Sequence, residues 1–264
     1  MLEINKIHNG DCLELMPNIP DKSIDAIICD LPYSMTACEW DCLIPFDKLW
    51  EQYKRIRKDN TPIVLFGSEP FSTYLRMSNI KEYKYDWIWH KSSSGSFVSA
   101  NKMPMKFHEN ISVFYKELPT YNPQFETYSA STQKRFKEGE KVNRFKQLQK
   151  SSNVLHGGVS YEGVSAISYE RGKYPESVQY FESVPNCNGI RMHPTQKPVA
   201  LLEYLIKTYS NEGDLILDNC SGSGSLAIAA HNLKRNFICI EKDKTYYDLS
   251  VERLKNAQAQ LKLF

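Results

Sequence analysis

The chain has 264 residues, 41% of them hydrophobic and 24% charged, with a formal net charge of +2 at pH 7. That supplies one large α/β domain, or one domain carrying a sizeable insertion, and excludes a generally disordered chain. The charge is too near zero to argue by itself for a nucleic-acid partner.

The opening residues, Met-Leu-Glu-Ile-Asn-Lys, lack the basic-then-apolar pattern of a signal peptide, and no apolar run is long enough to span a bilayer. The seven cysteines include no Cys-x-x-Cys pair. Cys38 and Cys42 are followed by no matching Cys/His pair, so no metal site is expected and the cysteines read as reduced thiols in a cytoplasmic protein.

In chain order, residues 1–7 suggest an entry strand leading to Asn9-Gly10-Asp11-Cys12, and 13–19 a short helix closed by Pro20. Residues 24–29 form an almost unbroken apolar run, which suits a strand buried on both faces of a parallel sheet. Pro32 ends it, leaving Asp30-Leu31-Pro32-Tyr33 at the carboxyl end of that strand, where open α/β sheets place their ligands. A carboxylate, a stiff turn and an aromatic ring can together receive a planar base bearing an exocyclic amine.

Phe46, Leu49, Trp50, Tyr53 and Ile56 have the spacing of an amphipathic helix. Strands are expected at 61–66, 85–90 and 111–115, with a helix at 69–77 and a serine-rich loop at 92–96. Trp87 and Trp89 share the second of these strands, so at least one belongs to the core. From 118 to 190 no clean period persists, although Lys134, Arg135, Lys137, Lys141, Arg144, Lys146 and Lys150 cluster there with Phe136 and Phe145 interleaved. Such a run is either a solvated surface or a phosphate-contacting arm with aromatic anchors. Regular structure resumes with a helix at 198–209, a strand at 215–217, a helix marked by Leu226, Ala230 and Leu233, a strand at 237–240, and a last helix from Tyr247 to Leu261. Strands alternating with helices argue for a doubly wound, mostly parallel sheet.

Gly222, Gly224 and Ala227 fit Gly-x-Gly-x-x-Gly/Ala between a strand and a helix, with Glu241 ending the next strand about twenty residues on. One glycine is expected to make the tight turn, the next to allow close approach to a ligand, and the alanine to permit helix packing. An acidic side chain at Glu241 can hold both ribose hydroxyls, so an adenosine-type cofactor is expected. A dinucleotide is opposed by the position of the loop in the last third of the chain, and by Asp218, which repels a pyrophosphate and attracts an ammonium.

Asp30-Leu-Pro-Tyr33 resembles the Asp-Pro-Pro-Tyr motif of DNA amino-methyltransferases, with Leu31 replacing the first proline. Asp218-Asn-Cys-Ser-Gly-Ser-Gly224 resembles their cofactor loop and departs from it at Asn219 and Cys220. His193-Pro-Thr-Gln-Lys-Pro198 matches a family segment beside the methionine end of the cofactor. Asn9-Gly-Asp11-Cys12 resembles the segment that contacts the cofactor adenine. Trp89-x-Lys91 and His108-Glu109-Asn-Ile resemble the elements beside the target base. With the catalytic motif first and the cofactor loop last, the order is that of the β-class, over roughly 1–116 and 190–252. The chain is identified as a member of the β-class DNA amino-methyltransferases of N6-adenine type.

The resemblance implies a Rossmann-like S-adenosylmethionine-dependent fold. Its catalytic half would lie at 1–116, an inserted target-recognition region at 117–190, and the cofactor-binding half at 191–264. Asp30 would accept one N–H of the target amine and the Leu31 carbonyl the other, with Tyr33 stacked on the base and Pro32 fixing the turn. Asp11, Cys12, Asp30, Thr195, Gln196, Lys197, Asp218, Ser221, Gly222, Ser223, Gly224 and Glu241 would hold S-adenosylmethionine. Lys91, Lys134, Arg135, Lys137, Lys141, Arg144 and Lys146 would contact double-stranded DNA, with the target nucleotide flipped out. His193 is expected to shape its turn. A homodimer and a cognate restriction endonuclease are partners the resemblance admits, and no membrane is involved.

The absence of a Pro-Cys dipeptide opposes C5-methylation, and a nuclease would need an acidic metal cluster. Methylation at N4 of cytosine, RNA or a protein amide as substrate, and a non-catalytic regulator on the same fold stay open as alternatives.

Overall fold

The computed structural model describes residues 1–33, 43–94, 97–137, 172–185 and 195–261. They divide into two units, Met1–Asn122 with Glu176–Phe264, and Pro123–Pro175. Among the described residues the larger unit holds strands β1 (Lys6–Asn9), β2 (Ala26–Cys29), β3 (Ile63–Gly67), β4 (Tyr83–Lys91), β5 (His108–Phe114), β6 (Val178–Phe181), β7 (Leu215–Asp218) and β8 (Asn236–Glu241). They form one sheet in the order β1-β8-β7-β2-β3-β5-β4-β6. Every neighbouring pair is parallel except the two made by β5, which runs against β3 and β4.

Among the described residues the helices in chain order are α1 (Cys12–Leu15), α2 (Phe46–Ile56), α3 (Phe71–Ser78), α4 (Ala130–Lys137), α5 (Val199–Tyr209), α6 (Ser225–Asn232) and α7 (Lys244–Leu261), with α4 in the smaller unit. Side chains of β2 alternate between two cores, as the two-residue period of a strand requires. Ala26 and Ile28 join Leu201, Leu205 and Leu226, while Ile27 and Cys29 join Met16, Leu49, Tyr53 and Ile56. Helices therefore cover both faces of the sheet, which is why β2 and β3 are apolar throughout. Removing the side chain of Ile27, which is fully buried, would cost roughly 2–5 kcal/mol.

Several elements differ from the sequence reading in instructive ways. The segment expected as one helix over 13–19 is α1 followed by a 3-10 turn at Met16–Asn18, because Pro17 sits in its first turn. Helix α5 starts at Val199, with Pro198 extended as its N-cap. Trp87 and Trp89 are both buried, since residues two apart on a strand share a face, and their indoles donate to Tyr209 Oη (2.6 Å) and the Phe181 carbonyl (2.9 Å).

Among the described residues, two elements also lie inside the 118–190 stretch that shows no period. β6 joins the sheet edge beside β4 with Val178 and Tyr180 outward and exposed, too short and too polar on its inner side to signal itself. α4 belongs to the Pro123–Pro175 unit, where Glu126 and Lys173 exchange backbone hydrogen bonds of 2.9 and 2.8 Å and Phe125 packs on Tyr174. No helix among the described residues is long and apolar enough to cross a membrane.

Candidate active site

Four adjacent parallel strands, β1, β8, β7 and β2, bring their carboxyl ends to one edge of the sheet, where such folds bind ligands. Asp11 follows β1, Glu241 ends β8, Asp218 ends β7 and Asp30 follows β2. All four line one cleft of about 530 Å³, together with Leu31, Pro32, Tyr33, Thr195, Gln196, Lys197, Ser221, Gly222 and Ser223. That volume is in the range of small-molecule and cofactor sites. The two stretches far apart in sequence, 30–33 and 218–223, thus belong to one cavity.

The loop after β7 turns through two glycines in the left-handed region, Gly222 at φ 52° and Gly224 at φ 73°. A side chain at Gly224 would meet Ser250 Cβ of α7 at 2.9 Å, so this glycine serves helix packing where the sequence suggested approach to a ligand. The turn is held by Glu241, whose Oε2 accepts the Gly222 N–H at 2.6 Å and whose Oε1 accepts the Asp243 N–H at 2.8 Å. Asn219 and Cys220, where the chain departs from the expected loop sequence, have partners of their own. Tyr53 donates to Asn219 Oδ1 at 2.5 Å, and the Asn219 amide donates to Cys220 Sγ at 3.5 Å. Burial pushes the Cys29 thiol up to about 12, so it stays protonated.

Asp218 is buried, and that burial, opposed by the Cys220 N–H and reinforced by the charges of Asp30 and Glu241, raises its pKa to about 7. Burial also raises Glu241, against the backbone N–H groups of Asp243 and Gly222. Asp11 caps α1 through the Leu13 N–H (2.9 Å) and pairs with Lys242 (3.1 Å).

At the other end of the cleft, Asp30 is engaged on both oxygens. Tyr33 Oη donates to Oδ1 at 2.6 Å and Lys197 Nζ donates to Oδ2. Lys197 also lies 3.4 Å from Glu109 Oε2, and Glu109 Oε1 accepts from Lys91 Nζ at 3.0 Å. Four charged groups thus alternate in sign through a largely buried row. Burial raises the pKa of Asp30, more than Lys197 and the hydrogen bonds lower it. Burial also works to raise Glu109 and to lower Lys197, yet the opposite charges win in both, leaving Glu109 lowered and Lys197 raised. The Tyr33 ring packs on Phe71 at 4.8 Å, and the ammonium of Lys197 lies 5.2 Å from the centre of Phe66.

A family model described as DNA methylase matches residues 24–252, well over half of the chain. The chain belongs to the DNA methylase family. It is 28% identical to the type II methyltransferase M.HpaI of Haemophilus parainfluenzae, over 93% of this chain and 72% of the relative. It is also 28% identical to the DNA adenine methyltransferase YhdJ of Escherichia coli (strain K12), over 96% and 83%. The crystal structure of the M1.HpyAVI–SAM complex superposes with a TM-score of 0.61 at 23% identity, covering 94% of this chain and 99% of that one, which bears on the fold alone.

The methylase is S-adenosylmethionine-dependent, and the cleft fits that donor on its own chemistry. Carboxylates stand at Asp218 and Glu241, for an ammonium and a ribose diol, and apolar Ile28, Phe66 and Leu202 also line the cleft.

The expected DNA contacts divide. Lys91 is largely buried and directs its ammonium to Glu109. Lys134 is exposed on α4, whose backbone also carries Arg135 and Lys137. Lys141, Arg144, Lys146, Lys150, Phe145 and His193 lie outside the described residues. The sequence reading named Glu109 within a motif but gave it no role. A glutamate opening the apolar run of β5 was the available signal. Among the described residues no group of three or more His, Cys, Asp or Glu side chains is placed to hold a metal ion.

Proposed function

We propose that this methylase modifies N6 of adenine in duplex DNA at a specific sequence, with the target nucleotide flipped into the Asp30 end of the cleft. One observation carries the reading. Asp30 and Tyr33, at the end of β2, open onto the same cavity as Asp218 and Glu241.

An exocyclic amine is a poor nucleophile because its lone pair is delocalised into the ring. Asp30 accepts one N–H and the Leu31 carbonyl the other, which draws the nitrogen toward tetrahedral geometry and frees the lone pair. Tyr33, already braced by Phe71, stacks on the base, and Pro32 holds the turn. When bound, S-adenosylmethionine supplies an electrophilic methyl group on a sulfonium. Glu241 and the Gly222 turn would hold its ribose, Asp218 its ammonium, and Asp11, Cys12, Thr195, Gln196, Ser221 and Ser223 would complete the cradle. Alignment of amine and methyl group supplies much of the rate. No covalent intermediate is needed.

The adenine assignment is supported by the leading aspartate of Asp30–Tyr33 and by the named specificity of the YhdJ relative. Target recognition is assigned to 117–190, with Lys134, Arg135, Lys137, Lys141, Arg144 and Lys146 on DNA phosphates. A cytoplasmic location, a homodimer and a cognate restriction endonuclease are proposed with it, on the resemblance. Transfer of labelled methyl to mixed-sequence duplex DNA, followed by nucleoside analysis, tests the reading. N6-methyladenine is expected. N4-methylcytosine would keep the fold and correct the base, and labelling of RNA or protein alone would overturn the substrate.

A further inference from the structure

Each oxygen of Asp30, including the one that must accept the target amine, already accepts a hydrogen bond in a crowded, largely buried row. Oδ1 is held by Tyr33 and Oδ2 by the ammonium of Lys197. Lys197 is only 7% exposed, so it cannot hand its charge to water when the amine arrives. A buried ammonium stripped of its partner is strongly unfavourable. Within reach stands one vacant acceptor. Glu109 Oε2 is buried, makes no hydrogen bond among the described residues, and lies 3.4 Å from Lys197 Nζ. Its other oxygen is fixed by Lys91, which holds the carboxylate in place.

We infer that Glu109 is a positioning residue that receives the Lys197 ammonium as the target amine takes its place on Asp30 Oδ2. The inference rests on the amine-methylation reading above. No proton or covalent bond changes hands. One hydrogen bond moves from Asp30 to Glu109, and the row Asp30, Lys197, Glu109, Lys91 stays neutral overall throughout. Lys197 thereby acquires a role on the catalytic carboxylate, beyond the cofactor contact suggested by its motif. In the free enzyme it opposes the effect of burial on the Asp30 carboxyl, whose pKa is raised overall.

The test is Glu109→Gln, which keeps size and shape but removes the receiving anion. The kcat for DNA methylation should fall by about tenfold or more, with KM for DNA and donor affinity by calorimetry within about threefold. Adding Lys197→Met to Glu109→Gln should recover a large part of the lost kcat, because no ammonium then blocks Asp30. Glu109→Asp should retain more activity than Glu109→Gln. An unchanged kcat in folded Glu109→Gln, or losses that simply add in the double variant, overturns the inference. Should Glu109→Gln fail to fold, the wild-type complex with duplex DNA and the demethylated cofactor product decides. Lys197 Nζ must then be found on Glu109 Oε2, and its persistence on Asp30 Oδ2 overturns the inference. Wild-type enzyme that methylates no DNA would remove the underlying reading instead, a distinguishable failure.

Discussion

Tyr53 of α2 donates a buried 2.5 Å hydrogen bond to Asn219, joining the helix between β2 and β3 to the loop after β7. Asn219 is one of the two positions at which this loop departs from the family's, and the tyrosine fixes it there by hydrogen bonding. Tyr53→Phe leaves a buried amide oxygen without its donor, which costs about 1–3 kcal/mol. Thermal unfolding should register that loss, and donor affinity should fall with it. An unaltered melting temperature would show that the loop is held elsewhere.

The second glycine of the turn tests the packing. Gly224→Ala forces a side chain into a left-handed conformation, at a cost of roughly 1–2 kcal/mol. The collision with Ser250 Cβ at 2.9 Å adds to it by pressing α7 away from the loop. A lowered melting temperature and weaker donor binding are expected from equilibrium measurements.

Asp218 makes donor binding depend on pH. Its pKa of about 7 in the free protein means that it is largely neutral below pH 7, with Asp30, Glu241 and Cys29 the titratable groups facing it. A cationic donor favours the carboxylate, so affinity should rise as pH climbs to 7 and level off above, with release of a proton on binding. Asp218→Asn should flatten the profile and weaken binding at pH 8. Stability of the free protein carries the opposite sign. The raised folded pKa stabilises below the unfolded value near 3.9, and that contribution is lost as pH rises through 7.

Glu241 has two duties in the structure where the sequence suggested one. Because its carboxylate accepts from both Gly222 and Asp243, Glu241→Ala should lower the melting temperature as well as donor affinity. Calorimetry of donor binding together with unfolding separates the two. A loss of affinity alone would place the turn's support elsewhere.

Much of this site was legible beforehand because its residues occupy positions with strong local signals. The apolar run of β2 ending at Pro32 placed Asp30, and the strand–glycine–helix pattern placed Gly222, Gly224 and Glu241. What stayed hidden depends on which strands become neighbours. The reversal of β5 sets Glu109 opposite Trp89 and within reach of Lys197, a relation between residues 109 and 197 that no local period encodes. The ion pair of Lys91 was hidden for the same reason, since its partner Glu109 is supplied by the adjacent strand. β6 hid because an edge strand of four residues buries too little to show an alternation.

The central claim is that Asp30 carries methyl transfer to the adenine amine. Its most direct test compares wild type with Asp30→Ala, measuring N6-methyladenine formed in duplex DNA beside donor affinity in the same preparations. The account predicts that N6-methyladenine disappears in the variant while donor affinity stays within about tenfold of wild type. Retained turnover in Asp30→Ala would contradict it.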